Sequence, residues 1–104
     1  MSKDKLFANR LKAARKKTEL SQRRLGIAAG MDEFVAGPRI NKYEQGVHTP
    51  TDIEVAEKLA EVLRVPASYF FTRDDKLAEM ILIFDGLTDE RQDELLQELR
   101  TESE

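Results

Sequence analysis

Residues 21–46, "SQRRLGIAAGMDEFVAGPRINKYEQG", hold one clear helix, a stop, and a second helix whose start is hard to place. Ser21 suits an N-cap, and Leu20 before it with Leu25 after it can form a hydrophobic staple. Leu25, Ala28 and Ala29 make the inner face, and Gly30 offers the left-handed residue that ends a helix. Tyr43, Glu44 and Gly46 suit the close of the second helix. Between the two, residues 31–37 allow two readings: Asp32 caps a turn of helix holding Phe34 and Val35, or the segment is a loop. Pro38 fits the first position of the second helix, where its missing N–H costs nothing, and it pushes Gly37 away from the helical region.

Helical spacing continues on both sides. Leu6, Phe7, Leu11 and Ala14 predict a first helix over residues 5–17, with Lys16 and Lys17 at the negative end of its dipole. "TDIE" at 51–54 reads as a capping box in which Thr51 bonds the amide of Glu54. Ile53, Ala56, Leu59, Ala60 and Leu63 then carry an amphipathic helix, and Pro66 opens a short turn, "PASYFF". Leu77, Met80, Ile81 and Phe84 form an apolar stripe over residues 75–85 that Gly86 closes. Thr88 caps a last helix striped by Leu95, Leu96 and Leu99, with fraying expected over 101–104.

Charge divides the 104-residue chain. Residues 1–48 hold 11 Lys/Arg against 5 Asp/Glu, whereas residues 49–104 hold 6 against 15. Only the first half is therefore suited to a polyanion. Absence of cysteine excludes disulfides, thiol catalysis and cysteine-bound zinc, and fits a reducing cytoplasm. Residues 1–20 lack an apolar signal core and no long apolar run follows, so neither export nor membrane spanning is expected. One histidine, no glycine-rich phosphate loop and no suggestive carboxylate pair make an enzyme the least expected class, and no cofactor or metal is implied.

Five short helical segments with a three-residue joint at Gly30 suggest a helix-turn-helix. "RLKAARKKTELSQRRLGIAAG", "INKYEQGVHTPT" and "AEKLAEVLRVPASYFF", in that order, resemble the phage-repressor/Cro-like (Xre) family of transcriptional regulators. The resemblance covers roughly residues 6–71. It implies an all-α fold: a five-helix repressor-like DNA-binding domain over residues 5–72, with a two-helix C-terminal extension over 73–104. The extension either dimerises or folds back on the core.

In that family the helix ending in "YEQG" enters the major groove. Ile40, Tyr43 and Glu44 fall at i, i+3 and i+4 and are expected to face the protein. Pro38, Asn41, Lys42 and Gln45 then point outward, with Arg39 on the flank as the best candidate to read a guanine. The resemblance gives Gln22 a backbone-contacting role, and Arg23 lies beside it. His48 is equally a phosphate contact or a plain loop residue. Glu44 matches a glutamate that typically pairs with an arginine, here Arg15, and so locks the reading helix to the scaffold.

The sequence departs from the family at one place. Gly30 and Gly46 are separated by 15 residues, about four more than common members have there. Gly37 and Pro38 offer no side-chain hydrogen bond where base-reading side chains are usual, which moves specificity to Arg39, Lys42, the inserted "DEFVA" or DNA shape. Phe34 is expected to pack under the insertion, with a thymine methyl as the alternative contact. The expected function is a bacterial or phage regulator, a repressor binding a pseudo-palindromic operator in double-stranded DNA as a homodimer. The competing class is an antitoxin or adaptor module whose acidic half binds a basic protein partner.

Overall fold

A computed structural model describes residues 4–104; the first three residues of the stretch read for a signal sequence lie outside it. Among the described residues there are six α-helices and no strand. They are α1 (Leu6–Lys16), α2 (Gln22–Ala28), α3 (Glu33–Glu44), α4 (Ile53–Leu63), α5 (Asp75–Asp85) and α6 (Asp89–Ser103), with a 3₁₀ turn (Ala67–Phe71) between α4 and α5. None is long and apolar enough to cross a membrane.

The joint between α2 and α3 follows from local chemistry. Ser21 Oγ accepts from the Arg24 amide and starts α2. Gly30, at φ 95°, ends it: its own N–H donates to the Ile27 carbonyl, and the Met31 N–H donates to the Gly26 carbonyl. These two bonds satisfy carbonyls that the helix end leaves open. The two helices then cross closely at Gly26, where an added Cβ would lie 2.7 Å from the Cβ of Ala36. Only hydrogen fits there.

Three expectations about α3 are corrected, one of them that Gly37 leaves the helical region, since it lies within the helix. Pro38 does not begin the helix: Asp32 does, its carboxylate accepting from the Phe34 amide, and Pro38 lies inside the second turn. A helix-interior proline costs about 3 kcal/mol, because its ring crowds the carbonyl four residues back and donates nothing to it. Gly37 removes the Cβ that would clash with the proline ring. Buried Ala36 and Ile40, on either side, hold the helix to α2 and the core. The extra residues thus add a turn; four residues make about 1.1 turns, so the faces of α3 keep their register. Phe34, in that turn, does not pack beneath it but is 82% exposed.

Leu11, Leu25, Ile40, Leu59 and Phe70 are fully enclosed at the centre of the body. The Phe7 ring meets Phe70 at 5.2 Å, Phe71 at 5.6 Å and Tyr43 at 6.1 Å, joining α1 to the 3₁₀ turn and to α3. At the start of α4 the cap is Asp52, which accepts from Glu54 N–H, and not Thr51. The two adjacent residues are both competent caps, and the helix begins one residue later than the box pattern places it. Ile53 is consequently in the exposed first turn and outside the apolar face.

Beyond the 3₁₀ turn, Arg10 donates to the carbonyls of Thr72 and Arg73 and to Asp75, fixing the entry to α5. Ala78 enters the core and Ile81 and Leu82 pack against it. The stripe read from the sequence therefore splits: Ile81 faces inward, while Leu77 and Met80 face out with Ile83. Gln92 of α6 donates to the Phe84 carbonyl across the turn that Thr88 caps. No residue of α6 is buried, and its last turn runs to Ser103, so the helix continues through most of the stretch expected to fray.

Candidate nucleic-acid interface

α3 has an inner edge of Ala36, Ile40, Tyr43 and Glu44, all buried. The helical repeat puts Phe34, Pro38, Lys42 and Gln45 on the opposite edge, with Asn41 and Arg39 on its two flanks. Lys42 and Gln45 are exposed, and Asn41 is half-buried. A helix so arranged is firmly seated on one side and offers donors on the other.

Its seat is a charged clamp. Arg15 Nε donates to Glu44 Oε2 at 2.6 Å and Nη2 donates to Oε1 at 3.0 Å, a two-pronged contact that joins α1 to the end of α3. The third nitrogen, Nη1, donates to the Leu20 carbonyl at 3.1 Å. Glu44 is 8% exposed, and its hydrogen bond to Arg15 raises the arginine's pKa above the ordinary value against the opposing effect of burial. A bidentate arginine–carboxylate pair fixes orientation as well as distance. It thereby sets how α3 is rotated about its own axis.

Gln22 belongs to the same network. Its Nε2 donates to Glu44 Oε1 and to Asn41 Oδ1, both at 3.2 Å. Two residues assigned to DNA from the sequence are thus joined to each other and to the clamp. Sequence spacing carries no signal for this, because 19 residues separate Gln22 from Asn41. Arg23 lies on the outer side of α2 and pairs with Glu33 at 3.3 Å, both side chains being largely exposed.

Arg39 leaves the flank of α3 toward the loop that follows the helix. Its Nε donates to Tyr43 Oη at 3.0 Å, and the guanidinium carbon stands 5.8 Å from the ring centre. The buried tyrosine therefore braces the arginine while the Nη atoms remain for another acceptor. Arg39, Tyr43, His48, Thr49 and Thr51 line a shallow groove of about 260 Å³. His48 is thereby brought beside Arg39. The two threonines were not singled out from the sequence, where hydroxyls in a turn are commonplace.

The groove and the outer edge of α3 bring together hydrogen-bond donors from Arg39, Lys42, Gln45 and the two threonines, with Asp52 also lining the groove. Among the described residues, no group of three or more acidic, cysteine or histidine side chains is arranged to hold a metal. Comparison with known proteins agrees with this geometry. The family profile described as Helix-turn-helix matches residues 11–70. A solved structure, "Crystal structure of transcriptional regulator BswR", is 44% identical in sequence and superimposes with a TM-score of 0.84, covering 90% of this chain and 92% of that one. No curated protein matches.

Proposed function

Because the chain belongs to the helix-turn-helix family, we propose that it works by laying α3 in the major groove of an operator and repressing transcription there as a homodimer. Its class is that of DNA-binding transcriptional regulators and not of enzymes. One observation carries the reading: α3 is locked at Glu44 while Lys42, Gln45 and the braced Arg39 stand on its free side. Arg39 is assigned to a guanine, and Lys42, Asn41 and Gln45 to base edges or phosphate. Gln22, Arg23 and His48 are assigned to the sugar–phosphate backbone. Residues 5–72 form the reading unit and 73–104 the extension. The setting is a bacterial or phage cytoplasm.

The homodimer rests on the extension. Leu77, Met80 and Ile83 of α5 and Leu96 and Leu99 of α6 are exposed, and no residue of α6 is fully buried. An isolated helix of this length is marginal in water, and exposed apolar patches mark association sites. Two copies joined through this face place two reading helices on one pseudo-palindromic site, with half-sites about one DNA turn apart. Repression follows from occupancy alone, since a bound dimer over a promoter blocks polymerase.

Selection of bound sites from a random DNA pool, beside a mass measurement of the free protein, tests this reading. A two-fold symmetric site, a dimeric mass and affinity that falls steeply with salt are expected. A reporter driven through that site should lose expression; a gain would make the protein an activator. The acidic second half favours one other reading, an adaptor or antitoxin that binds a basic protein. It predicts no selected site and a monomer that co-purifies with a partner.

A further inference from the structure

The outer edge of α3 changes character along its length. Its second half is polar, with Asn41, Lys42 and Gln45. Its first half presents Phe34, 82% exposed, Val35, 49% exposed, and Pro38, one turn on from Phe34. None of the three belongs to the core cluster or packs against it. Nothing among the described residues covers this phenylalanine at the leading end of the reading helix.

The surroundings say what fits it. Two carboxylates stand at this end of the helix, and both are engaged: Asp32 accepts from the Phe34 amide and Glu33 is paired with Arg23. The patch continues the edge that carries Lys42 and Gln45, so the surface that meets those two side chains meets Phe34 as well. The major groove is the complementary surface: phosphates line both rims, and the floor carries one kind of apolar group, the 5-methyl of thymine. Van der Waals contact to that methyl needs no hydrogen bond, which is what Phe34, Val35 and Pro38 lack.

Resting on the DNA-reading role above, we propose that Phe34 reads a pyrimidine 5-methyl group in each half-site, thymine in unmodified DNA, with Val35 and Pro38 closing around it. The apolar turn added to α3 then carries specificity that its missing donors cannot. The inserted turn is a methyl reader.

The full chain is titrated against its selected site with each thymine of a half-site replaced in turn by deoxyuridine, which removes only the methyl. At one position the affinity is expected to fall about fourfold, the worth of one buried carbon at ~0.8 kcal/mol. Phe34→Ala, exposed enough to leave the melting temperature unchanged, should bind thymine and uracil equally there. At that position 5-methylcytosine should bind better than cytosine to the wild-type chain. Specific binding indifferent to every uracil, or a Phe34→Ala chain that keeps the full methyl preference, overturns the proposal and leaves the DNA-reading role standing. Failure to select any site overturns both. Loss of self-association in Phe34→Ala with unchanged DNA affinity would assign the patch to a second copy instead.

Discussion

Leu25 and Leu96 each fall on the apolar side that the sequence assigns to a helix, yet Leu25 is completely enclosed and Leu96 is 36% exposed. The difference separates the body of the molecule from its extension. In the body, α1 to α4 and the 3₁₀ turn cover one another's apolar faces, and α5 joins them only along Ala78, Ile81 and Leu82. The rest of α5 and all of α6 leave leucines, a methionine and an isoleucine facing water. Periodicity therefore states that a helix has an apolar side. It is silent on whether the cover belongs to the same chain.

The largest expected effect lies in the body. Glu44→Ala leaves the guanidinium of Arg15 without its carboxylate, and breaking a buried pair from one side costs roughly 3–5 kcal/mol. Thermal melting should fall together with DNA affinity; an unchanged melting curve would dismiss the clamp as a determinant of the body's stability. In the extension, Leu96→Lys with Leu99→Lys should do the reverse. Dimerisation should weaken by about 3 kcal/mol or more, since burying each leucine is worth about 1.5–3 kcal/mol. Melting of the body should hardly move. Molecular mass of both variants from analytical ultracentrifugation at several concentrations checks this, and a double variant that stayed dimeric would erase the contrast.

Smaller changes sharpen the contrast. Arg39→Ala should cost about 1–3 kcal/mol on the selected site and relax preference at one base pair. Equal losses on random DNA would reduce Arg39 to a phosphate contact. Arg64, at the end of α4, has a left-handed backbone at φ 59°. Glycine takes that conformation freely, so Arg64→Gly should stabilise the body by roughly 1 kcal/mol, read as a rise in the denaturant midpoint with DNA affinity unchanged. A lower midpoint would mean that the arginine side chain contributes more than its backbone costs.

Much of this was legible in local chemistry, and the exceptions share a cause. Ser21, Gly30, Gly46 and Thr88 mark helix ends because the reason lies within a few residues of each. Pro38 misleads because its local rule, a helix start, yields to the packing of Ala36 against Gly26 from another helix. Asp52 displaces Thr51 because adjacent residues compete for one amide and the pattern does not rank them. At the interface, spacing separates the seated residues Ile40, Tyr43 and Glu44 from the free ones. The bonds of Gln22 to Asn41 and of Arg39 to Tyr43 depend on rotamers that a sequence does not carry.

The link between Gln22 and Asn41 has a thermodynamic consequence. In the proposed complex, a base-edge donor that engages Asn41 Oδ1, or a phosphate that engages Gln22 Nε2, meets an atom already hydrogen-bonded within the protein. Such a contact is an exchange of bonds and not an addition, so its net contribution to affinity is small. A wrong base, by contrast, breaks the internal bond without replacing it. Asn41, the one of the pair that faces a base edge, should therefore discriminate among sites more than it tightens binding to the right one. Asn41→Ala is the variant in which the operator remains bound while its imitators cease to be refused.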